Sequence, residues 1–247
     1  MKIHLRGKPL DEEVKLEYIQ YLTDGFSGAQ IENLLNEAML HALRNERNKI
    51  TKYDLDIMTN RIMSGTQSST NNFSNDTIER IIIHELGHAI VGFFSQNHAK
   101  VSRVCLSLNS PTSPGYTIFE TSSNGVLTKE SLEERLAVLL GGRIAEEIFF
   151  GASITTGAKK DLYEAHELAK NMITIYGMGK KKIYPTLSDQ SKSSIDNEII
   201  ELIDKVEKYS YTIIKEYSSV ILKLSPLLKE HGILKYDDIY RIVHEDD

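Results

Sequence analysis

The sequence predicts an α+β protein that is mainly helical, a small helical unit followed by a larger helical domain with one small β element. Three observations carry that prediction. Apolar residues recur at three- and four-residue spacing through most of the chain, the mark of amphipathic helices. Strand-like alternation is confined to residues 101–119. One stretch rich in Ser, Asn and Thr, SGTQSSTNNFSND, offers almost nothing to bury and divides the chain. The expected organisation is therefore a helical unit over 1–64, a linker over 65–76 and a second domain over 77–247.

The elements follow in order. Residues 11–22 carry a weak helical pattern, ended by Thr23-Asp24-Gly25. From Ser27, the residues Ile31, Leu34, Leu35, Ala38, Met39 and Ala42 predict a strongly amphipathic helix. A third helix should begin at Thr51, with Asp54 as its capping partner, and stop near Gly65. Beyond the linker a helix is expected over 77–94, capped by Asp76 and Glu79. Val101, Val104, Leu106 and Leu108 fit one strand and residues 116–119 a second, with a proline-containing turn over 109–115. A helix over 128–150 stops at Gly151, and another over 157–176 stops at Gly177. Residues 180–194 read as a surface loop. A final long helix over 195–224 should be broken by Pro226, with two short helical pieces closing the chain.

Composition excludes several classes. The 247 residues are 40% hydrophobic and 26% charged, ordinary for a globular chain able to bury a core. A net charge of −6 without a basic block argues against nucleic acid as a partner. A single cysteine, Cys105, rules out a disulfide-built scaffold; it reads as a buried small hydrophobe, and a cytoplasmic or other reducing compartment is expected. No apolar run approaches the roughly 18–20 residues of a membrane span, and the first residues, MKIHLRGKPLDEE, do not read as a signal peptide.

The chemistry lies in His84-Glu85-Leu86-Gly87-His88, an H-E-x-x-H motif inside a predicted helix. Positions i and i+4 share one helix face, so two imidazoles can bind one zinc ion. The intervening glutamate lies beside the metal and can move a proton from the attacking water to the leaving amine. The apolar flanks Ile81-Ile82-Ile83 and Ala89-Ile90-Val91 make this an expensive place for three polar groups without a metal. A catalytic site needs a third protein ligand. Asp161 and the pair Glu146 and Glu147 are candidates that spacing cannot separate. His98 follows the motif too closely in a polar turn, His166 reads as a surface residue, and His231 suits a helix C-terminus. Lys180-Lys181-Lys182 and the tyrosines Tyr209, Tyr211 and Tyr217 read as solvated loop and packing residues.

Four stretches resemble the FtsH-type AAA proteases, membrane-anchored ATP-dependent zinc metalloproteases. Gly25-Phe26-Ser27-Gly28-Ala29-Gln30-Ile31 is similar to the start of that family's AAA lid. His84 to Ala89 is similar to its HEAGHA, Leu140-Gly141-Gly142-Arg143-Ile144-Ala145-Glu146-Glu147 to its LGGRAAEE, and Thr155-Thr156-Gly157-Ala158-Lys159-Lys160-Asp161-Leu162, with Tyr176-Gly177-Met178, to its TTGAxNDL and YGM. The resemblance implies an AAA lid over 1–64 and a zinc peptidase domain after the linker. It implies zinc ligands His84, His88 and Asp161, the general base Glu85, and supporting roles for Glu146 and Glu147. It also implies unfolded polypeptides as substrates, a substrate-pairing strand within 101–119, and a homo-hexamer or ring with a full-length ATPase-bearing partner, membrane-associated through a preceding part.

There are departures. No G-x-x-x-x-G-K-[S/T] loop occurs, so no ATPase activity is expected of this chain alone. Gln30 stands where the family lid has Asp, Lys160 where its motif has Asn, and Leu86 where it has Ala. A fragment of a longer protease and a natural ATPase-less relative fit equally. The principal expectation is a zinc endopeptidase. Its alternative is an ATPase-less assembly or binding module of a protease ring. A purely structural zinc is disfavoured by the lack of cysteines around the motif.

Overall fold

The computed structural model describes residues 3–23, 26–64, 73–108, 114–120, 126–180 and 188–245. Among these are nine helices and a three-stranded sheet. Asp24 and Gly25, the expected stop at Gly65, the linker up to Asn72, most of the 109–115 turn and residues 181–187 of the expected loop lie outside them. The chain divides into two compact units, Met1–Asn72 with Ser107–Pro114, and Phe73–Leu106 with Gly115–Asp247.

The first unit holds α1 (Leu16–Leu22), α2 (Gly28–Arg44) and α3 (Lys52–Ser64). Its core is Ile19, Leu34, Leu35, Ile50 and Leu55, all fully buried. α2 begins in a capping box: the Ser27 hydroxyl accepts from Gln30 N at 3.3 Å, and Ser27 N donates to Gln30 Oε1 at 2.8 Å. Gln30 therefore has a local structural duty. α3 begins the same way, with Thr51 N on Asp54 Oδ2 at 2.9 Å and Asp54 N on Thr51 Oγ1 at 3.3 Å.

Asp54 does more than cap. It is fully buried and also accepts from Arg47 Nη2 at 2.7 Å and His41 Nδ1 at 2.6 Å. Burial by itself would raise this carboxyl; hydrogen bonds from Arg47, Thr51 and His41 outweigh it and hold the group well below the usual carboxylate range.

The second unit begins with α4 (Asn75–Phe94). Its cap is Ser74, whose hydroxyl accepts from Thr77 N at 3.2 Å, rather than the expected Asp76 and Glu79. Asp76 turns instead to Arg80 Nε one turn on, at 2.9 Å. β1 (Val101–Leu106) is central in the sheet order β2-β1-β3, antiparallel to β2 (Gly115–Phe119) and to β3 (Ile233–Lys235). β3 corrects the expectation of a sheet confined to 101–119: Gly232, at φ 72°, ends the preceding helix and turns three residues onto β1.

α5 (Lys129–Phe150) and α6 (Lys159–Thr174) follow as expected, α5 capped by Thr128 and closed by Gly151 at φ 63°. The expected loop over 180–194 is overturned in part, because α7 (Asp189–Glu216) starts under a Ser188 cap, six residues before the apolar stripe. The expected continuous helix to 224 is also corrected. The chain breaks at Tyr217, whose ring stacks on Phe94 at 3.7 Å between centroids, and α8 (Ser218–His231) starts there. Pro226 lies inside α8 instead of ending it. It sits on the solvent face with the exposed Leu222, the residue whose carbonyl its missing N–H would have met, so water can serve that group. α9 (Tyr236–Val243) closes the unit.

The core joins Ile82, Leu86 and Ile90 of α4 to Leu136, Met172, Ile214 and Ile221, all with essentially no exposure. α4 and α5 cross in near backbone contact. A Cβ on Gly87 would meet Gly141 O at 2.5 Å and the Ala145 Cβ at 2.6 Å, and one on Gly141 would meet Gly87 O at 2.9 Å. Glycine in a helix interior costs about 1 kcal/mol relative to alanine. Here it lets two backbones touch and brings α5 against the motif-bearing face of α4.

Candidate metal centre

α4 carries His84, Glu85 and His88 into the interior, at 8, 9 and 8% exposure. Asp161 enters from the first turn of α6, where a carboxylate also suits the helix dipole. The atoms His84 Nε2, His88 Nε2 and Asp161 Oδ2 face one another. The two nitrogens are 3.0 Å apart, and the carboxylate oxygen is 3.3 Å from the first and 3.6 Å from the second. Among the described residues this is the group of metal-ligating side chains that converges on one point.

The far side of each ring decides what the near side offers. His88 Nδ1 lies 2.7 Å from the main-chain oxygen of Val138, which can only accept, so Nδ1 carries the proton and Nε2 presents a lone pair. His84 Nδ1 lies 2.7 Å from Glu146 Oε1. Glu146 is 1% exposed and also accepts Thr155 N at 2.7 Å and Thr155 Oγ1 at 3.0 Å. Burial alone would raise its carboxyl; the His84 and Thr155 hydrogen bonds prevail and lower it. Glu146 is thus a carboxylate acceptor, and the neutral His84 ring likewise turns its Nε2 lone pair inward. With both rings neutral, two lone pairs and a carboxylate oxygen meet there, and among the described residues no Lys or Arg is paired with them.

A cation fits. With no cation bound, His84 would keep a second proton at Nε2: burial lowers its imidazolium, yet hydrogen bonds to Asp161 and Glu146 push it up to about 10, so a bound metal ion would take the place of that proton. A tetrahedral zinc with bonds of about 2.0–2.2 Å holds its ligand atoms about 3.3–3.5 Å apart, and the three edges here straddle that span. Gly142 supplies the room: a Cβ there would lie 2.6 Å from both Nε2 atoms.

Glu85 stands beside the cluster. Its Oε2 accepts from Thr117 Oγ1 at 2.9 Å, and burial pushes its carboxyl up against the lowering influence of His88 and His84. Glu147 points away into an exposed pair with Arg143 at 3.2 Å. His166 and His231 are exposed. His98 is half-buried edge-on to Phe119 at 4.6 Å, a drier setting than the expected polar turn. Cys105 is fully buried in β1. Thr117, Gly142 and the Val138 carbonyl had no individual signal in the sequence. A backbone acceptor never does, and the other two are ordinary residue types until the fold brings them to the site.

Fold and site together have the features of the metallopeptidase class: two histidines one helical turn apart, a third acidic ligand candidate and a buried glutamate beside them. Residues 71–242 match peptidase family M41 and residues 13–57 match the AAA+ lid domain. The chain belongs to peptidase family M41. It is 36% identical to the ATP-dependent zinc metalloprotease FtsH of Malacoplasma penetrans, across 95% of this chain and 31% of that protein. It is 33% identical to the FtsH of Thermotoga maritima, across 100% of this chain and 43% of that protein. With FtsH 1 of Methylacidiphilum infernorum the identity is 31%, across 98% of this chain and 41% of the relative. The chain spans less than half the length of these relatives. No helix among its described residues is long and apolar enough to cross a membrane.

Proposed function

We propose that this chain is the proteolytic part of an FtsH-like ATP-dependent protease, a zinc endopeptidase that hydrolyses peptide bonds of unfolded polypeptides. His84, His88 and Asp161 would hold the zinc. The observation that carries the reading is the meeting of three acceptor atoms with both imidazole Nδ1 positions already committed elsewhere. Zinc bound there would polarise the scissile carbonyl and acidify the attacking water.

The chain's own residues would do the rest. Glu146 and the Val138 carbonyl hold the two imidazoles in the tautomer that faces the centre. Glu146 also grips Thr155, in the turn that leads to Asp161, so one carboxylate sets two ligands. Glu85 takes the proton of the attacking water and passes it to the leaving amine; its burial favours holding that proton between the two steps. Among the described residues β2 is the outermost strand of the sheet, and pairing of an extended polypeptide with this strand pair would suit an unfolded substrate. The lid supports assembly as a homo-hexamer or ring with an ATPase-bearing part.

The test is degradation of casein without ATP by the zinc-supplied chain and its Glu85→Gln form. Cleavage by the first alone is expected, with one zinc per chain. A protein that takes up no zinc with both histidines intact would sink the reading. Zinc uptake without cleavage by either form would favour the assembly module.

A further inference from the structure

We propose that Thr117 is a positioning residue that fixes the Glu85 carboxylate for proton transfer. The inference rests on the reading of Glu85 as the general base. Thr117 Oγ1 lies 2.9 Å from Glu85 Oε2 and 3.0 Å from the main-chain oxygen of the same residue. The single hydroxyl proton is shared between the backbone oxygen and the carboxylate tip of one residue, and the torsions between those two points lose freedom. A buried carboxylate on a helix has several rotamers open to it, and this contact selects one.

A second contact from the same strand closes the grip. Gly115 lies two residues before Thr117, on the same face of β2. A Cβ on Gly115 would lie 2.7 Å from Glu85 Cγ and 3.1 Å from Oε1. The bare glycine lets the strand press against the stem of Glu85 while the threonine hydroxyl holds its tip. The strand does not float, because Gly115 is in register with Leu106 and Thr117 with Val104, and β1 is pinned on its other side by β3. The base is carried by α4 but its carboxylate is held by a strand of the sheet, whereas His84 and His88 are held by groups on α5.

A merely structural hydroxyl would affect stability and nothing specific to the proton transfer. The experiment compares the zinc-loaded chain with Thr117→Val, which keeps the shape and removes the donor, and Thr117→Ser, which keeps the donor. It adds Glu85→Gln and the double variant. With a fluorogenic peptide, Thr117→Val is expected to lower kcat about 10- to 100-fold, with KM within about twofold and zinc content unchanged. Thr117→Ser should recover most of that loss. In the Glu85→Gln background Thr117→Val should have no further effect. Crystal structures should show the Glu85 carboxylate displaced in Thr117→Val and in place in Thr117→Ser, with His84, His88 and Asp161 unmoved in both. Wild-type kcat in Thr117→Val, an equal loss in the Glu85→Gln background, or an unmoved Glu85 would each overturn the proposal. Full activity in Glu85→Gln would instead overturn the reading of Glu85 as base. If the wild-type chain cleaves nothing, the two crystal structures decide where Glu85 is held and by what.

Discussion

Asp54 in the first unit and Glu146 in the second are both buried carboxylates bonded to a histidine Nδ1, at 2.6 and 2.7 Å. Their surroundings diverge from there. Asp54 also receives the Arg47 guanidinium and both polar groups of Thr51, so its charge is neutralised within the protein. Glu146 receives Thr155 and His84, and His84 then turns its Nε2 toward two further acceptor atoms. One cluster closes on itself, while the other is left with acceptors in excess. A buried polar group by itself does not separate structure from chemistry; the unbalanced remainder of donors and acceptors does.

Breaking each cluster should reveal that asymmetry. Gly142→Ala places a methyl 2.6 Å from both Nε2 atoms and should abolish stoichiometric zinc binding, read by metal analysis, while the helical circular dichroism signal persists. Glu146→Gln should leave the fold intact and weaken zinc binding about 10- to 100-fold in a competition titration. Asp54→Ala should leave zinc content unchanged and destabilise the first unit by about 2–3 kcal/mol in denaturant unfolding, moderated by the partial exposure of Arg47. Acid sharpens the same contrast. The folded Asp54 carboxyl is depressed below its unfolded value of about 3.9, so its contribution is complete above that pH and fades as pH falls toward the folded value. The first unit's melting temperature should therefore hold steady from pH 7 to about 5 and drop below about 4. Ser27→Ala, which removes only a helix cap, should cost the first unit about 1 kcal/mol.

The legible parts of the molecule were those with a periodic or chemical signature. The α2 stripe and its start at Ser27, the Thr51 cap, the Gly151 stop and the His84 to His88 helix could all be read from residue types at fixed spacing. β3 could not, since three residues carry no alternation, and its existence depends on a sheet edge offered by β1. Pro226 misled because local propensity says nothing about which face of a helix meets water. The start of α7 was hidden because its first turns are polar and solvated, which is also how loops read. At the centre, spacing left Asp161 level with Glu146 and Glu147, and only the family resemblance chose between them. The structure brings Asp161 to the imidazole Nε2 side and Glu146 to the Nδ1 side, a distinction of direction that no linear spacing contains.

The backbone contact between Gly87 and Gly141 has a consequence for tolerance to change. A side chain at either glycine would act as a wedge at the crossing of α4 and α5, and because α4 is rigid the displacement would be carried to both imidazoles and to Glu85 together. In a saturation library selected for cleavage, positions 87, 141 and 142 should therefore be as intolerant as His84 or Asp161, although none of them offers a reactive atom. A map of intolerance would outline the clearances between helices as well as the chemistry, and the glycines would mark where the two coincide.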